Sequence, residues 1–181
     1  NMFASSRSIN ILNSNGTVYG LDPEIAWNYG VSFLQGFNFF GKKADVTIDY
    51  YITDFKNQVV VDFENPQEVN FYNLDGKSIA NSFQVEVSYN LAKNFNLRTA
   101  YKYFDITTDY KEGNLQKPIQ PKDRFFVNLS YETEKQENDS QWRFDITFNN
   151  IGKQRLPNTG SNPIEYQLPE YSHPFQLLNS Q

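Results

Sequence analysis

Side chains that alternate between apolar and polar with period two, for about ten residues or more at a time, dominate the middle of this chain. The segment FFVNLSY (125–131) shows the pattern: Phe125, Val127, Leu129 and Tyr131 share one side, while Phe126, Asn128 and Ser130 share the other. A period of two is the pleat of a β-strand with one greasy face. Five further segments read the same way. Trp27, Tyr29, Val31 and Phe33 alternate with Asn28, Gly30 and Ser32, and Ala44, Val46, Ile48, Tyr50 and Ile52 alternate with Asp45, Thr47, Asp49 and Thr53. Phe83, Val85, Val87, Tyr89 and Leu91 oppose Ser82, Gln84, Glu86, Ser88 and Asn90. Leu97, Thr99, Tyr101 and Tyr103 oppose Asn96, Arg98 and Lys102, and Trp142, Phe144, Ile146 and Phe148 oppose Arg143, Asp145, Thr147 and Asn149. A protein core and a lipid bilayer would both accept such a face.

The connections discriminate between them. Gly41-Lys42-Lys43 and Ala92-Lys93-Asn94 are tight turns, and residues 134–139 make a short polar one; residues 54–80, 105–122 and 151–173 are long. Short and long connections in strict alternation are what an up-and-down meander produces when its two rims face different compartments. Greek-key links in a sandwich would not sort by side. Strands of this length match the ~9–11 residues that cross a bilayer at a tilt, against ~5–6 in soluble sheets. The pattern predicts an all-β antiparallel up-and-down meander whose apolar face meets lipid, with a soluble barrel or sandwich as the competing architecture.

Composition permits this. Mean hydropathy is only −0.65, but a barrel strand gives lipid only every second residue. No apolar run approaches the ~18 residues of a spanning helix. The aromatic share of 17% suits strands and membrane interfaces alike. With no cysteine, disulfides and thiol chemistry are excluded. A net charge of −5 without a Lys/Arg cluster argues against a nucleic-acid partner. The first residues carry no basic n-region or apolar h-region, so the expectation is either a protein that is not exported or a piece of a longer one.

On the polar faces stand Asp45, Asp49, Glu86, Arg98, Lys102, Arg124, Arg143 and Asp145. In a soluble meander they would face water; in a membrane barrel they would line the lumen. A hairpin at 92–94 would bring Glu86 opposite or diagonal to Arg98 and Lys102, as a structural ion pair of the wall. Trp27, Tyr29, Tyr89, Tyr101, Tyr103, Tyr131 and Trp142 are expected on the apolar face near strand ends, as lipid-facing or girdle residues with a wet OH or NH. No catalytic, cofactor or metal set is evident. His173 sits alone in a Pro-rich loop, and Asp45 and Asp49 read as wall residues rather than a glycosidase pair. Asp22-Pro23-Glu24 and Asn73-Leu74-Asp75-Gly76-Lys77 are acidic turns that could hold Ca²⁺ or simply turn.

Four stretches resemble the C-terminal part of the β-barrel of TonB-dependent outer-membrane receptors. GLDPEIAWNYGVSF (20–33) is like that family's L-x-PE…NYE-x-G strand entry, and VTIDYYITDFKNQVVV (46–61) like its Y-x-T strand rising into a loop. LDGKSIANSFQVEVSYNL (74–91) is similar to its G-x-S-x-x-G-x-E-x-E-x-x-Y strand, and PIQPKDRFFVNLSYE (118–132) to its P-x-x-P…Y return. Order and spacing agree over nearly the whole chain. Ser82-Phe83 and Gln84 depart from the family's Gly and first Glu. The resemblance implies a 22-stranded transmembrane barrel with an N-terminal plug, in the outer membrane of a Gram-negative bacterium. Its work would be to import a scarce nutrient (ferric siderophore, cobalamin or glycan) with energy from the TonB complex, and it would be no enzyme.

On that reading residues 1–181 are a partial barrel lacking plug and final strands: about eight strands, being the six above, a poorer one within 5–12 and a last one at 175–178. Its partners would be outer-membrane lipid, the TonB complex through the missing N-terminal part, and a small nutrient ligand. Two open edges and a broad apolar face would make the isolated piece curl into a smaller barrel or self-associate edge to edge. The other function classes are a soluble, lectin-like carbohydrate-binding module with tyrosines stacking on sugars and, for want of catalytic residues less favoured, a hydrolase on a β-scaffold.

Overall fold

A computed structural model of the chain describes residues 7–12, 16–137 and 139–181. Eleven strands are formed among the described residues. In chain order they are β1 (Ser8–Ile11), β2 (Ile25–Phe39), β3 (Lys42–Asn57), β4 (Val59–Asp62), β5 (Glu68–Asn73), β6 (Ser78–Ala92), β7 (Phe95–Tyr110), β8 (Gly113–Gln116), β9 (Asp123–Glu132), β10 (Arg143–Ile151) and β11 (Phe175–Ser180). One antiparallel sheet takes the order β11-β10-β9-β7-β6-β3-β2, with β8 paired to the far end of β7. All six strands read from the alternation are in it, each beside its neighbour in sequence, as an up-and-down meander requires.

The tight turns have a local cause. Phe39 pairs with Lys42 across the two-residue loop Phe40-Gly41, and both loop residues have positive φ (48° and 71°). Two positive φ values mark the mirror-image turn whose twist suits a hairpin, and glycine adopts one without strain. At the β6–β7 turn Asn94 takes φ 68°, beside a register irregularity between Asn90 and Ala92. Asn is among the few residues that tolerate this region.

The long connections are less loop-like than the sequence suggests. The 54–80 segment loses its first four residues to β3 and its last three to β6, and between them folds β4 and β5 into a hairpin. The 105–122 segment continues β7 to Tyr110 and turns back as β8. Both stretches are too polar and too short in period to advertise strands, and they extend the sheet past the length a bilayer needs. The segment 152–174 carries only a 3-10 turn, Ile164–Tyr166.

One assignment is corrected. The strand anticipated within 5–12 is not part of the wall. Ser8–Ile11 runs parallel to β5 in a separate three-stranded sheet, β1-β5-β4, and residues 5 and 6 lie outside the described residues. Four residues cannot cross a membrane, but they can cover the edge of a short hairpin. The eighth strand of the large sheet is β8 instead.

The large sheet is open: β2 and β11 each pair on one side only, and β2 is exposed along all fifteen residues. The sheet therefore does not curl shut on its apolar face. The dry core lies at the long-loop end, where Val60, Tyr72, Leu74 and Tyr110 are buried with Leu115 packed against them. There the hydroxyls of Ser78 and Thr108, both buried, meet at 2.9 Å.

Gly30 is directly opposite Tyr51, and a Cβ at Gly30 would collide with the Tyr51 ring and the Tyr50 carbonyl. The ring lies across the glycine, so the strand pair approaches more closely than a side chain allows. Gly30→Ala is expected to lower stability by roughly 1–3 kcal/mol. Denaturant unfolding of the chain in detergent micelles checks this; an unchanged midpoint would show that the ring does not need the gap.

Candidate functional site

Register decides what each face offers. Successive pairings run Asp49–Gln84–Lys102–Arg124, Thr47–Glu86–Ala100–Phe126 and Asp45–Ser88–Arg98–Asn128, then Ser130–Asp145 and Glu132–Arg143. All eight charged residues expected on the polar face thus share one face of the sheet. The opposite face carries rows such as Phe33–Ile48–Val85–Tyr101–Phe125 and Val46–Val87–Thr99–Val127–Phe148–Leu178.

On the polar face Arg98 donates from Nε and Nη2 to the two carboxylate oxygens of Glu86, at 2.7 and 2.9 Å. The partners are diagonal, since Glu86 sits opposite Ala100 and Arg98 opposite Ser88. Lys102 does not share this bridge; its ammonium lies 5.4 Å from the Phe104 ring centre. Arg143 bridges Glu132 at 2.7 Å. The Asn128 amide donates to Thr147 at 2.9 Å and to Asp145 at 3.4 Å, and the Ser32 hydroxyl donates to Asp49.

On the apolar face aromatic rings gather at the short-turn end. Phe39 meets Tyr89 with ring centres 5.9 Å apart, Phe95 meets Tyr131 at 4.6 Å, and Phe144 lies within 6.5 Å of both Tyr131 and Trp142. Tyr131 and Tyr89 stand at strand ends as expected, and Trp142 immediately precedes β10. Tyr101 and Tyr103 do not stand at the end of their own strand, because β7 continues to Tyr110. They sit level with the start of β9, where their hydroxyls donate to Asp123 and Asp105. Trp27 and Tyr29 face the same way, near the long-loop end of β2, and are 66% and 57% exposed.

The loop end holds a polar constellation that the alternation could not signal. Arg155, from the segment after β10, is buried against Glu64, from the β4–β5 turn. Its Nη1 donates to Glu64 Oε2 at 3.0 Å, Nη2 donates to Oε1, and Nε donates to the Gln116 carbonyl at the end of β8. Glu64 also accepts from the Asn158 amide at 3.1 Å. Burial opposes the Arg155 charge, yet the hydrogen bonds and charge of Glu64 outweigh it and raise its pKa. Nearby, Asp62 accepts from the Tyr72 hydroxyl at 3.1 Å and from the Glu64 amide at 3.0 Å. Burial, then the Asp62 charge, pushes the Tyr72 phenol above the ordinary phenol range.

This constellation ties together three connections distant in sequence. Glu64, Glu112, Leu115, Arg155, Gln167 and Glu170 line an open cleft of about 440 Å³ beside it. The Arg155 carbonyl accepts from the Ile119 amide at 2.8 Å. Ile119 has φ 58°, a region costly for a β-branched residue.

The two acidic turns proposed for Ca²⁺ are joined by protein groups. Asn73 accepts from the Asp22 amide at 2.8 Å and donates to the Asp22 carbonyl at 3.0 Å, and Glu24 accepts from the Val59 amide at 3.0 Å. Among the described residues no group of His, Cys, Asp or Glu has the arrangement to hold a metal. His173 is exposed in its loop.

Residues 2–179 match the family model described as TonB dependent receptor-like, beta-barrel. Neither the comparison with curated proteins nor that with solved structures gives a match.

Replacing Arg155 by Met leaves the Glu64 carboxylate buried without its cation, a change that costs about 3–5 kcal/mol in comparable pairs. Faster amide exchange is expected in 59–73 and 152–174, with much of the protection restored by Glu64→Gln in the Arg155→Met background. Identical exchange in Arg155→Met and the parent would show that the pair holds nothing together.

Proposed function

As this chain belongs to the TonB-dependent receptor-like β-barrel family, we propose that it is part of the wall of an outer-membrane receptor. Such a receptor takes up a small nutrient, of the ferric siderophore, cobalamin or glycan kind, with energy drawn through TonB. The family is one of outer-membrane receptors and transporters rather than enzymes. In this reading the apolar face meets lipid, the face bearing Asp45, Asp49, Glu86, Arg98, Lys102, Arg124, Arg143 and Asp145 lines the lumen, and the long connections form the outward rim. The wall performs no bond chemistry: it bounds a passage, and the rim presents ligand-contacting groups.

The observation that carries the reading is that parity is kept across the sheet between the strand-end irregularities at Ile25/Ala26 and Asn90/Ala92. Within each regular stretch of pairing from β2 to β11 like face meets like face, and among the described residues no second sheet is packed on the apolar side. Exposed there are Val31, Phe33, Ile48, Phe125, Leu129, Phe144, Ile146 and Leu178. A contiguous apolar surface of that extent needs a non-aqueous neighbour, and hydrocarbon fits the interior strands β3 to β10 of the sheet, whose backbone groups are paired on both sides. The ring cluster at the short-turn end suits the interface, where an aromatic body is buried and its polar tip stays wet.

Single cysteines along β6 and β9, each bearing a nitroxide, test this in lipid vesicles. Positions 85, 87, 127 and 129 are expected to be relaxed by oxygen, and positions 84, 86, 88, 128 and 130 by a water-soluble nickel chelate. In-phase accessibility to the nickel chelate on both faces, in a chain that stays monomeric in buffer, would favour the soluble carbohydrate-binding module instead.

A further inference from the structure

The polar face carries one pair of cations that the protein leaves uncompensated. Lys102 and Arg124 are direct cross-strand partners between β7 and β9. Like charges placed directly opposite on one face repel and destabilise a strand pair. Their outer neighbours in the same row are Gln84 and Ile151, neither of which is acidic. The other two basic residues named on this face are matched, Arg98 by Glu86 and Arg143 by Glu132, and Lys122 above them is matched by Asp105 at 2.8 Å. Among the described residues Lys102 and Arg124 have no carboxylate within ion-pair distance.

Their surroundings form a receptacle. Lys102, Phe104, Gln120, Pro121, Lys122 and Arg124 line an open concavity of about 260 Å³. One row below, Ala100 stands between Glu86 on β6, whose carboxylate is taken by Arg98, and Phe126 on β9. The Phe126 ring is already faced by Arg98, 6.0 Å from its centre. Two cations beside the Phe104 ring can bind an oxyanion: the guanidinium offers paired donors to a carboxylate or phosphate, and the ammonium adds a compact charge.

We propose that Lys102 and Arg124 form an anion-binding subsite for a small carboxylate- or phosphate-bearing solute. The inference rests on the reading of this face as the lumen wall. The receptacle is at the long-loop end, below the segment 117–122, so a solute entering past the rim meets it before the lower, charge-balanced rows.

The test uses the full chain in lipid vesicles, with Ala100→Cys as a reporter, since the chain has no cysteine of its own. An uncharged water-soluble maleimide measures how exposed that cysteine is. Inorganic phosphate and citrate serve as a compact and a spread oxyanion. Modification is expected to proceed readily, to slow at least threefold with citrate or phosphate at low ionic strength, and to recover as salt screens the cations. Protection should vanish in Lys102→Gln/Arg124→Gln and persist in Arg143→Gln. Ready modification that neither anion slows, or protection that survives the double substitution, overturns the subsite and leaves the wall reading standing. A cysteine inert to the water-soluble reagent in the folded chain overturns both.

Discussion

Everything in this molecule depends on the coupling of the backbone ladder to side-chain parity. In an antiparallel pair, residues opposite each other project to the same side, so a register chosen once at the first hairpin is inherited by every strand after it. Here it is inherited across six pairings. A slip of one residue at any of them would carry charged side chains onto the face meant for hydrocarbon, at about 2–4 kcal/mol for an Arg or Lys at mid-membrane depth. Several such residues per hairpin make the penalty for misregister far larger than any single turn preference. The two register irregularities lie at Ile25/Ala26 and Asn90/Ala92, at the ends of strands, where a break in parity does not move charge through the apolar band.

On the proposed reading the large sheet stands between two solvents and has no use for a core of its own. The buried residues concentrate where the strands outrun the membrane: Val60, Tyr72, Leu74 and Tyr110, and around them Asp62, Glu64, Ser78, Thr108, Gln116 and Arg155. There the connections pack on one another as a small soluble protein does, with polar groups paired inside. The buried Glu64–Arg155 pair is a costly way to join two loops, since desolvation consumes much of the attraction. It offers directionality in return: a guanidinium with three hydrogen-bonded nitrogens fixes the β10–β11 connection against both the β4–β5 turn and β8.

The wall was legible in the sequence because its signal is periodic. Ten residues alternating in step outvote any single substitution, and the sorting of short from long connections supplied the meander order. Even the diagonal Glu86–Arg98 pair followed from hairpin geometry. The rim was not legible. Glu64 and Arg155 are ninety-one positions apart, and neither is marked by its neighbours; β4, β5 and β8 are four to six residues long, too short for a period to establish itself. The strand sought in 5–12 failed for the same reason: a short apolar stretch says that something will be covered, but not by what. Lys102 and Arg124 were readable as wall residues one at a time, while their opposition requires the register, which only the folded sheet provides.

Rim and wall are not independent. The segment 117–122 forms one side of the cationic concavity, and it is held from behind by the same loop that carries Arg155: Ile119 donates to the Arg155 carbonyl, Pro121 bridges Gln154, and the Gln116 amide donates to the Gln120 carbonyl at 3.2 Å. Ile119 sits in left-handed backbone that a β-branched residue resists, so this stretch holds its shape only while its surroundings over-determine it. Loss of the Glu64–Arg155 tie would release the strain and let the segment move, altering the mouth of the concavity without touching Lys102 or Arg124. The loop that carries the buried pair and the cationic concavity therefore share the segment 117–122. The segment also reaches the other face, where Lys122 pairs with Asp105 at 2.8 Å beside Tyr103, so rim and wall are joined on both sides of the sheet.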